Sequence, residues 1–472
     1  WYRGNGFTYN VGEPVEGYSN FLWLVFIGAG RVLKISEAAH WLGGLVGWPP
    51  GESGDVLCAR ILGTIIFALI ILIGAKMARR QFGTAAGAGA ALLLALSFPL
   101  SFYSVTGLET GFFTLLLTVT VFRYLDNRCR IDPVTVLLLH LVAVSRVEGV
   151  LYFFPFFGYD LISAGKWHRR HTVALTVFSV LGLGFLSWRW WYFGSVIPQI
   201  FFARFPLNDP TVKLPWILRG FDDMVLFIRS TGGVLGGLLI LCSLGSKLFR
   251  RRVGFLLWVI AAGLVFQKLA GGDFMLGARY LIPVLPCYLA CLLGAVSRVV
   301  DRLSNDAMFT CPLGNMKLVL IVILAVIWGI FQFSQTVEFL AYPMRYPNFL
   351  MHSRTLRTTA RWLKERYDKN TVLSCWRFGA VGYVSGLIIR DVEGIVVRDT
   401  GRNRFRLALG LEPGIERERP APDLILEPFS PDIHLDETEV SRYEHRYRLI
   451  HLFVIAEGVT WRLLEIVPGE KQ

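Results

Sequence analysis

Apolar runs of about 15 to 22 residues, the length that lets a helix cross a bilayer, alternate with short polar segments along most of this chain. They fall near residues 56–76, 84–105, 108–124, 133–146, 149–163, 172–192, 231–248, 253–269, 280–297 and 317–336. Several are shorter than the roughly 20 residues an untilted span needs. The pair around the string SRVEG reads as two short spans, as one long span or as a broken helix. A further apolar segment near 18–35 predicts an amphipathic, partly embedded helix on the outer membrane surface, followed by a loop through HWLGGLVGWPPGESGD. Beyond residue 336 the pattern changes. Leu356, Ala360 and Leu363 recur at helical spacing in SRTLRTTARWLKERY, and TVLSCW, GLIIRDV, PDLILEPF, RLIHLFVIAEG and WRLLEIV read as strands. The expected fold is an α-helical polytopic membrane bundle over 1–336 with a small extracytoplasmic α/β domain over 337–472.

Composition agrees with that pattern and charge orients it. The 472 residues are 54% hydrophobic and 18% charged, and a mean hydropathy of +0.49 is too high for an ordinary soluble chain. A net charge of +13 would suggest nucleic acid in a soluble protein. Here the basic clusters KMARR, RYLDNRCR, KWHRRH, KLFRRR and SRVVDR all sit where spans end, so the charge reads as topology and nucleic acid is not an expected partner. Counting the spans in alternation puts every cluster on the inner side and residues 337–472 on the outer side. Counting the 18–35 segment as a span would push KMARR outside, so it is placed on the surface. The seven cysteines show neither a disulfide framework nor metal-ligand spacing. With no initiator Met or signal peptide before Trp1, a further upstream segment is expected.

The polar motifs gather at the opposite ends of the spans. In GNGFTYNVGEPVEGYSNFLW, turn-forming glycines bring Glu13 and Glu16 to the edge of an apolar helix, where a carboxylate can bind sugar hydroxyls or accept a proton; the plainer reading is a solvated interfacial loop. Arg146 and Glu148 interrupt an apolar stretch in SRVEG, and charges at membrane depth normally face a cavity or pair with one another. Glu109 in TGLETGFF reads either as a site residue or as the first-turn acid of a helix capped by Thr106. QKLAGGDFMLGARYLIP brings Lys268, Asp273 and Arg279 together among glycines that permit close approach of a ligand. Arg279 offers a fork suited to phosphate, and Asp273 can orient it or hold a metal. WRWWYFGSVIPQIFFAR reads as an interfacial aromatic belt with Gln199 within reach of a site. His168 and His171 lie among inner basic residues and carry no expected catalytic role.

Six strings in order, VEGYSNFLW, SVTGLETGFF, SRVEG, WYFGSVIPQIFFAR, GGDFMLGARYLIPVLP and FGAVGYVSGLIIRD, resemble the polytopic glycosyltransferases of the GT-C class that use polyprenyl-phosphate sugars. The likeness is to the bacterial branch that includes the cell-wall arabinofuranosyltransferases. That resemblance implies a transferase in the bacterial inner membrane whose site faces outward, with a polyprenyl-phosphate sugar donor and a glycan or glycolipid acceptor. It also implies a catalytic Asp upstream of Trp1. The chain departs from its relatives at Val147, where Pro is usual, and at RDVEG, where a Gly-Leu pair commonly follows the Asp.

In such a reaction a carboxylate deprotonates the acceptor hydroxyl and cations stabilise the departing phosphate. Asp273 and Glu16 are the expected catalytic carboxylates, with Asp273 also a candidate ligand for Mg or Mn. Arg279, Arg146 and Lys268 are the expected phosphate cations, while Tyr18, Asn20, Glu109, Glu148 and Gln199 are expected to line the substrates. Two rivals stand beside this reading. A transporter or flippase of lipid-linked sugars would also place charges at membrane depth, though with paired repeats and a midplane site. A non-catalytic membrane scaffold that binds glycan is the other.

Overall fold

The computed structural model describes residues 6–10, 12–45, 54–204, 221–231, 233–270, 278–305, 314–345, 348–375, 378–391, 422–429, 447–456 and 459–466. The chain forms two compact units, Asn20–Ser187 with Leu214–Val337, and Trp1–Ser19 with Trp188–Lys213 and Glu338–Gln472.

The first unit is helical and apolar, as the long hydrophobic runs require. Five helices among the described residues are long and apolar enough to cross a membrane: Gly54–Phe82, Arg169–Phe193, Lys247–Ala270, Arg279–Arg302 and Val319–Val337. The run at 84–105 is two helices, Thr84–Ala95 and Phe98–Val105, bent by 59° and together long enough for one more span. At the bend, the Gln332 side chain accepts the Phe98 N–H at 2.9 Å, so a backbone donor released by the break keeps a partner. The run at 108–124 is the 18-residue helix Glu109–Asp126. Arg279–Arg302 is the innermost of the long helices, with 89% of its apolar window buried.

The stretch around SRVEG takes the broken-helix form. Helix Pro133–Ser145 is only 13 residues long, about 20 Å at 1.5 Å per residue and well short of the ~30 Å hydrocarbon core. Arg146 is extended, Val147–Tyr152 forms a 3-10 turn, and helix Phe153–Ala164 follows. Gly149 permits the break, because a Cβ there would collide with the Val142 carbonyl. At the helix ends, basic clusters find acids: Arg80 pairs with Asp126, Arg123 with Asp132 at 2.5 Å, and Arg170 with Asp160 at 3.0 Å.

The 18–35 segment contains a helix, Phe21–Val32, with Trp23 and Gly30 buried and Leu24, Phe26 and Val32 exposed. The loop expected to follow it is corrected over its first part. Residues Ile35–Leu45 are a second helix, because Ala39 packs on Leu57 and Cys58 and that burial outweighs the turn propensity of Gly43 and Gly44. The later residues of that expected loop, 46–53, lie outside the described residues.

The second unit carries the α/β fold. Strands β1 (Val372–Cys375), β2 (Ile388–Asp391), β3 (Leu424–Phe429), β4 (Tyr447–Ala456) and β5 (Val459–Ile466) form one sheet in the order β2-β1-β3-β5-β4. β1 runs parallel to β2 and β3, with helix Phe378–Ser385 connecting β1 to β2, while β5 pairs antiparallel with β3 and β4. Helix Asn348–Arg366 buries Leu356, Ala360 and Leu363, the positions its spacing predicts, against Leu373, Ile389, Leu424 and Leu463.

Residues 6–19 belong to this unit too. Asn10 donates Nδ2 to the Ile389 carbonyl at 2.7 Å and accepts the Ile389 N–H at 2.9 Å, so one side-chain amide completes the outer edge of β2.

Candidate functional site

Within the helical unit, the break after Pro133–Ser145 carries Arg146 into an apolar environment where a guanidinium must be paired. It is 5% exposed and donates Nη1 to Glu109 Oε1 and Nε to Glu148 Oε1. Glu148 follows in the 3-10 turn, and Glu109 opens its helix, where the positive end of the helix dipole favours a carboxylate. The other Glu109 oxygen, Oε2, accepts from Asn20 Nδ2 at 3.1 Å. Arg279 enters from the start of another 3-10 turn and brings Nη1 to 3.9 Å from Glu109 Oε1, beyond hydrogen-bond range. Tyr280 lies beside both guanidinium groups, 5.5 Å from Arg146 and 5.2 Å from Arg279.

Two backbone features hold this arrangement. Gly107, with φ of 82°, turns the chain before Glu109, and its carbonyl accepts the Trp23 indole N–H at 3.1 Å. Ala278, buried and in the left-handed region with φ of 51°, directs the chain into Arg279. A residue with a Cβ in that conformation stores about 1 kcal/mol or more, a condition common where a side chain must be aimed. Thr106 does not cap the Glu109 helix as expected. Its hydroxyl turns back to the Phe102 carbonyl at 2.8 Å, and Leu108 occupies the cap position without a side-chain bond.

Asn20, Glu109, Arg146, Glu148 and Arg279 are thus brought into one cluster of two acids, two guanidinium groups and an amide. Lys268, in the last turn of helix Lys247–Ala270, has its Nζ 3.9 Å from the Phe221 ring centroid. Asp273 lies outside the described residues, as do Gly271, Gly272 and Gly277. Among the described residues no group of three or more His, Cys, Asp or Glu is placed to hold a metal ion.

Glu16, Tyr18 and Gln199 fall in the second unit. Arg189 donates Nε and Nη2 to Glu16 Oε2 at 2.8 and 2.6 Å, and both residues are buried. Burial pushes the Glu16 carboxyl above its ordinary value, and the Arg189 guanidinium draws it part of the way back. The Gln199 N–H bonds the Glu16 carbonyl at 3.1 Å. Tyr18 packs edge-on against Phe193, and burial raises its phenol. Phe7 packs against Trp188 and Tyr192 beside them, while Trp190 and Trp191 face outward at 67% and 79% exposure.

Sequence reasoning missed Arg189 and Tyr280. A lone Arg inside WRWWYF is a signal in retrospect, because a belt of aromatics at a membrane edge has no need of a buried charge. Tyr280 carried no such mark.

No protein-family model matches the sequence, and no curated protein matches it. Among solved structures, the chain is similar to ArnT from Cupriavidus metallidurans bound to undecaprenyl phosphate, with a TM-score of 0.54 and 14% identity over 96% of this chain and 89% of that chain. The apo-state structure of the same ArnT gives a TM-score of 0.47 and 15% identity over 86% of this chain and 83% of that chain. The chain therefore has the multi-pass helical membrane fold seen in ArnT bound to undecaprenyl phosphate.

Proposed function

We propose that the protein is a membrane glycosyltransferase that moves a sugar from a polyprenyl-phosphate donor to an extracytoplasmic glycan or glycolipid. The observation that carries this reading is the buried cluster of Arg146, Arg279, Glu109 and Glu148, in a fold shared with a structure of ArnT, a GT-C glycosyltransferase, that holds undecaprenyl phosphate. An anionic lipid phosphate is attracted to guanidinium groups at a membrane edge, and the same groups stabilise the phosphate as it leaves the anomeric carbon. Arg279 and Arg146 take that role, with Lys268 contributing positive charge on the same stretch of chain.

The acceptor hydroxyl must lose its proton as it attacks, and a carboxylate serves as base. Asp273 and Glu16 are the candidates. Tyr18, Asn20, Glu109, Glu148 and Gln199 line or orient the substrates. The reading places the protein in the bacterial inner membrane with its site and α/β domain outside, among relatives that build cell-wall arabinan. A divalent cation held by Asp273 belongs to the same proposal.

The test uses the full chain in lipid nanodiscs with a polyprenyl-phosphate sugar and an acceptor glycan. Transfer of sugar that is abolished in Arg279→Ala supports the reading. Movement of the lipid-linked sugar across the bilayer without transfer would make the protein a flippase, and glycan binding alone would make it a scaffold. Transfer at an unchanged rate in both Arg279→Ala and Asp273→Ala would refute the site assignment.

A further inference from the structure

Arg146 and Arg279 are held differently, and Glu109 stands between them. Arg146 is closed into two short ion pairs at 6% side-chain exposure. Arg279 is twice as exposed, at 12%, and its nearest Glu109 oxygen is 3.9 Å away, a contact that attracts charge without the geometry of a hydrogen bond. The same Oε1 serves both arginines, while Asn20 anchors Oε2 and the helix start fixes the backbone. Glu109 is therefore a fixed negative charge at the point where an incoming phosphate would seek its own contact with Arg279.

We propose that Glu109 is an internal counter-anion for the donor site, a positioning residue that holds Arg279 in the ligand-free protein and competes with the lipid phosphate for it. The inference rests on the glycosyltransferase reading above, and it adds a reason for Glu109 that substrate lining does not supply. With two acids and two guanidinium groups the cluster is formally neutral, which makes its burial tolerable before any ligand arrives. A phosphate that enters draws Arg279 across from the long Glu109 contact. When the phosphate leaves, Arg279 returns to the long Glu109 contact. Removal of the Glu109 charge should then tighten phosphate binding, the opposite of what loss of a substrate-lining residue would do.

The experiment measures binding of undecaprenyl phosphate and of uncharged undecaprenol to the full chain in nanodiscs. Wild type should prefer the phosphate, and Arg279→Ala should erase the preference. Absence of that preference, or its persistence in Arg279→Ala, overturns the donor reading and this inference with it. Given the preference, Glu109→Gln should bind undecaprenyl phosphate roughly tenfold tighter, the scale of removing one like charge several ångströms from an anion at intermediate dielectric. Undecaprenol affinity should not move, and Glu109→Asp should restore wild-type selectivity. Equal or weaker phosphate binding in a folded Glu109→Gln protein overturns the counter-anion role alone. Should that variant fail to fold, Glu148→Gln supplies the reading: Arg146 then draws more fully on Glu109, Arg279 is less held, and phosphate binding tightens by about twofold to fivefold, whereas unchanged or weaker binding refutes the proposal.

Discussion

Replacement of Arg146 by Met should be the most damaging single change in the helical unit that leaves side-chain volume nearly constant. Arg146 is 5% exposed and is the partner of two carboxylates that are each 7% exposed. Breaking a buried ion pair from one side costs about 3–5 kcal/mol, because the remaining charge stays buried without compensation. Glu109 would retain Asn20 and the long Arg279 contact, so most of the loss falls on Glu148. Unfolding entropy of ~2.1 cal/mol/K per residue, taken over the whole chain, gives about 1 kcal/mol per degree, so a loss near 4 kcal/mol lowers Tm by about 4 °C. The assay is thermal unfolding of the detergent-solubilised protein at a fixed scan rate, since membrane proteins commonly unfold irreversibly. Arg146→Met/Glu148→Gln removes the stranded charge and should recover about half of the loss, a coupling of roughly 2 kcal/mol for residues in direct contact. Additive single effects, or an Arg146→Met protein as stable as wild type, would show that the guanidinium is not the centre of the cluster.

Three further outcomes follow from the geometry. Asn10→Ala removes both bonds to Ile389 and leaves the β2 edge open; a loss of about 2 kcal/mol, read as faster hydrogen exchange at residues 388–391, is expected, and unchanged exchange would refute it. Ala278→Gly should be neutral or add up to ~1 kcal/mol, because Gly adopts a φ of 51° without the Cβ penalty, whereas Ala278→Val should lower Tm and undecaprenyl phosphate binding together; equal tolerance of the two would show that the left-handed backbone does not aim Arg279. Glu16 binds its proton more tightly in the folded protein than at its ordinary value of 4.5, so its contribution to stability is complete below that value and is lost as pH rises through the raised one. The Tm of wild type relative to Glu16→Gln should therefore be higher at about pH 4.5 than at about pH 7, and a difference independent of pH would refute the raised carboxyl.

The parts of the fold that local pattern controls were legible in the sequence. Leu356, Ala360 and Leu363 mark the buried face of their helix by spacing alone, and all five apolar runs of the C-terminal segment became strands of one sheet. Helix Ile35–Leu45 was not legible, since its glycines signal a turn and only the contact of Ala39 with Leu57 and Cys58 decides otherwise. The site divides along the same line. Arg146 and Glu148 announce themselves as charges in an apolar run, two residues apart. Their link to Glu109 crosses 37 residues, and Arg189 meets Glu16 across 173, distances over which no periodicity carries information.

Charge balance explains why these distant links exist at all. An isolated guanidinium or carboxylate at membrane depth is expensive, so each buried charge of this cluster must bring a countercharge from elsewhere in the chain. On the proposed reading, Arg279 must meet an anionic ligand and also be stable without one. Glu109 can supply the countercharge, because the turn at Gly107 and the start of its helix project a carboxylate toward Arg146 and Arg279 at once. Arg146, which shares Glu109 with Arg279, takes a second ion pair from Glu148. The broken helix after Ser145 provides that second acid in the adjoining turn. On this argument the break at SRVEG and the acid in TGLETGFF form one electrostatic device, and the cost of altering either should depend on whether the other is present.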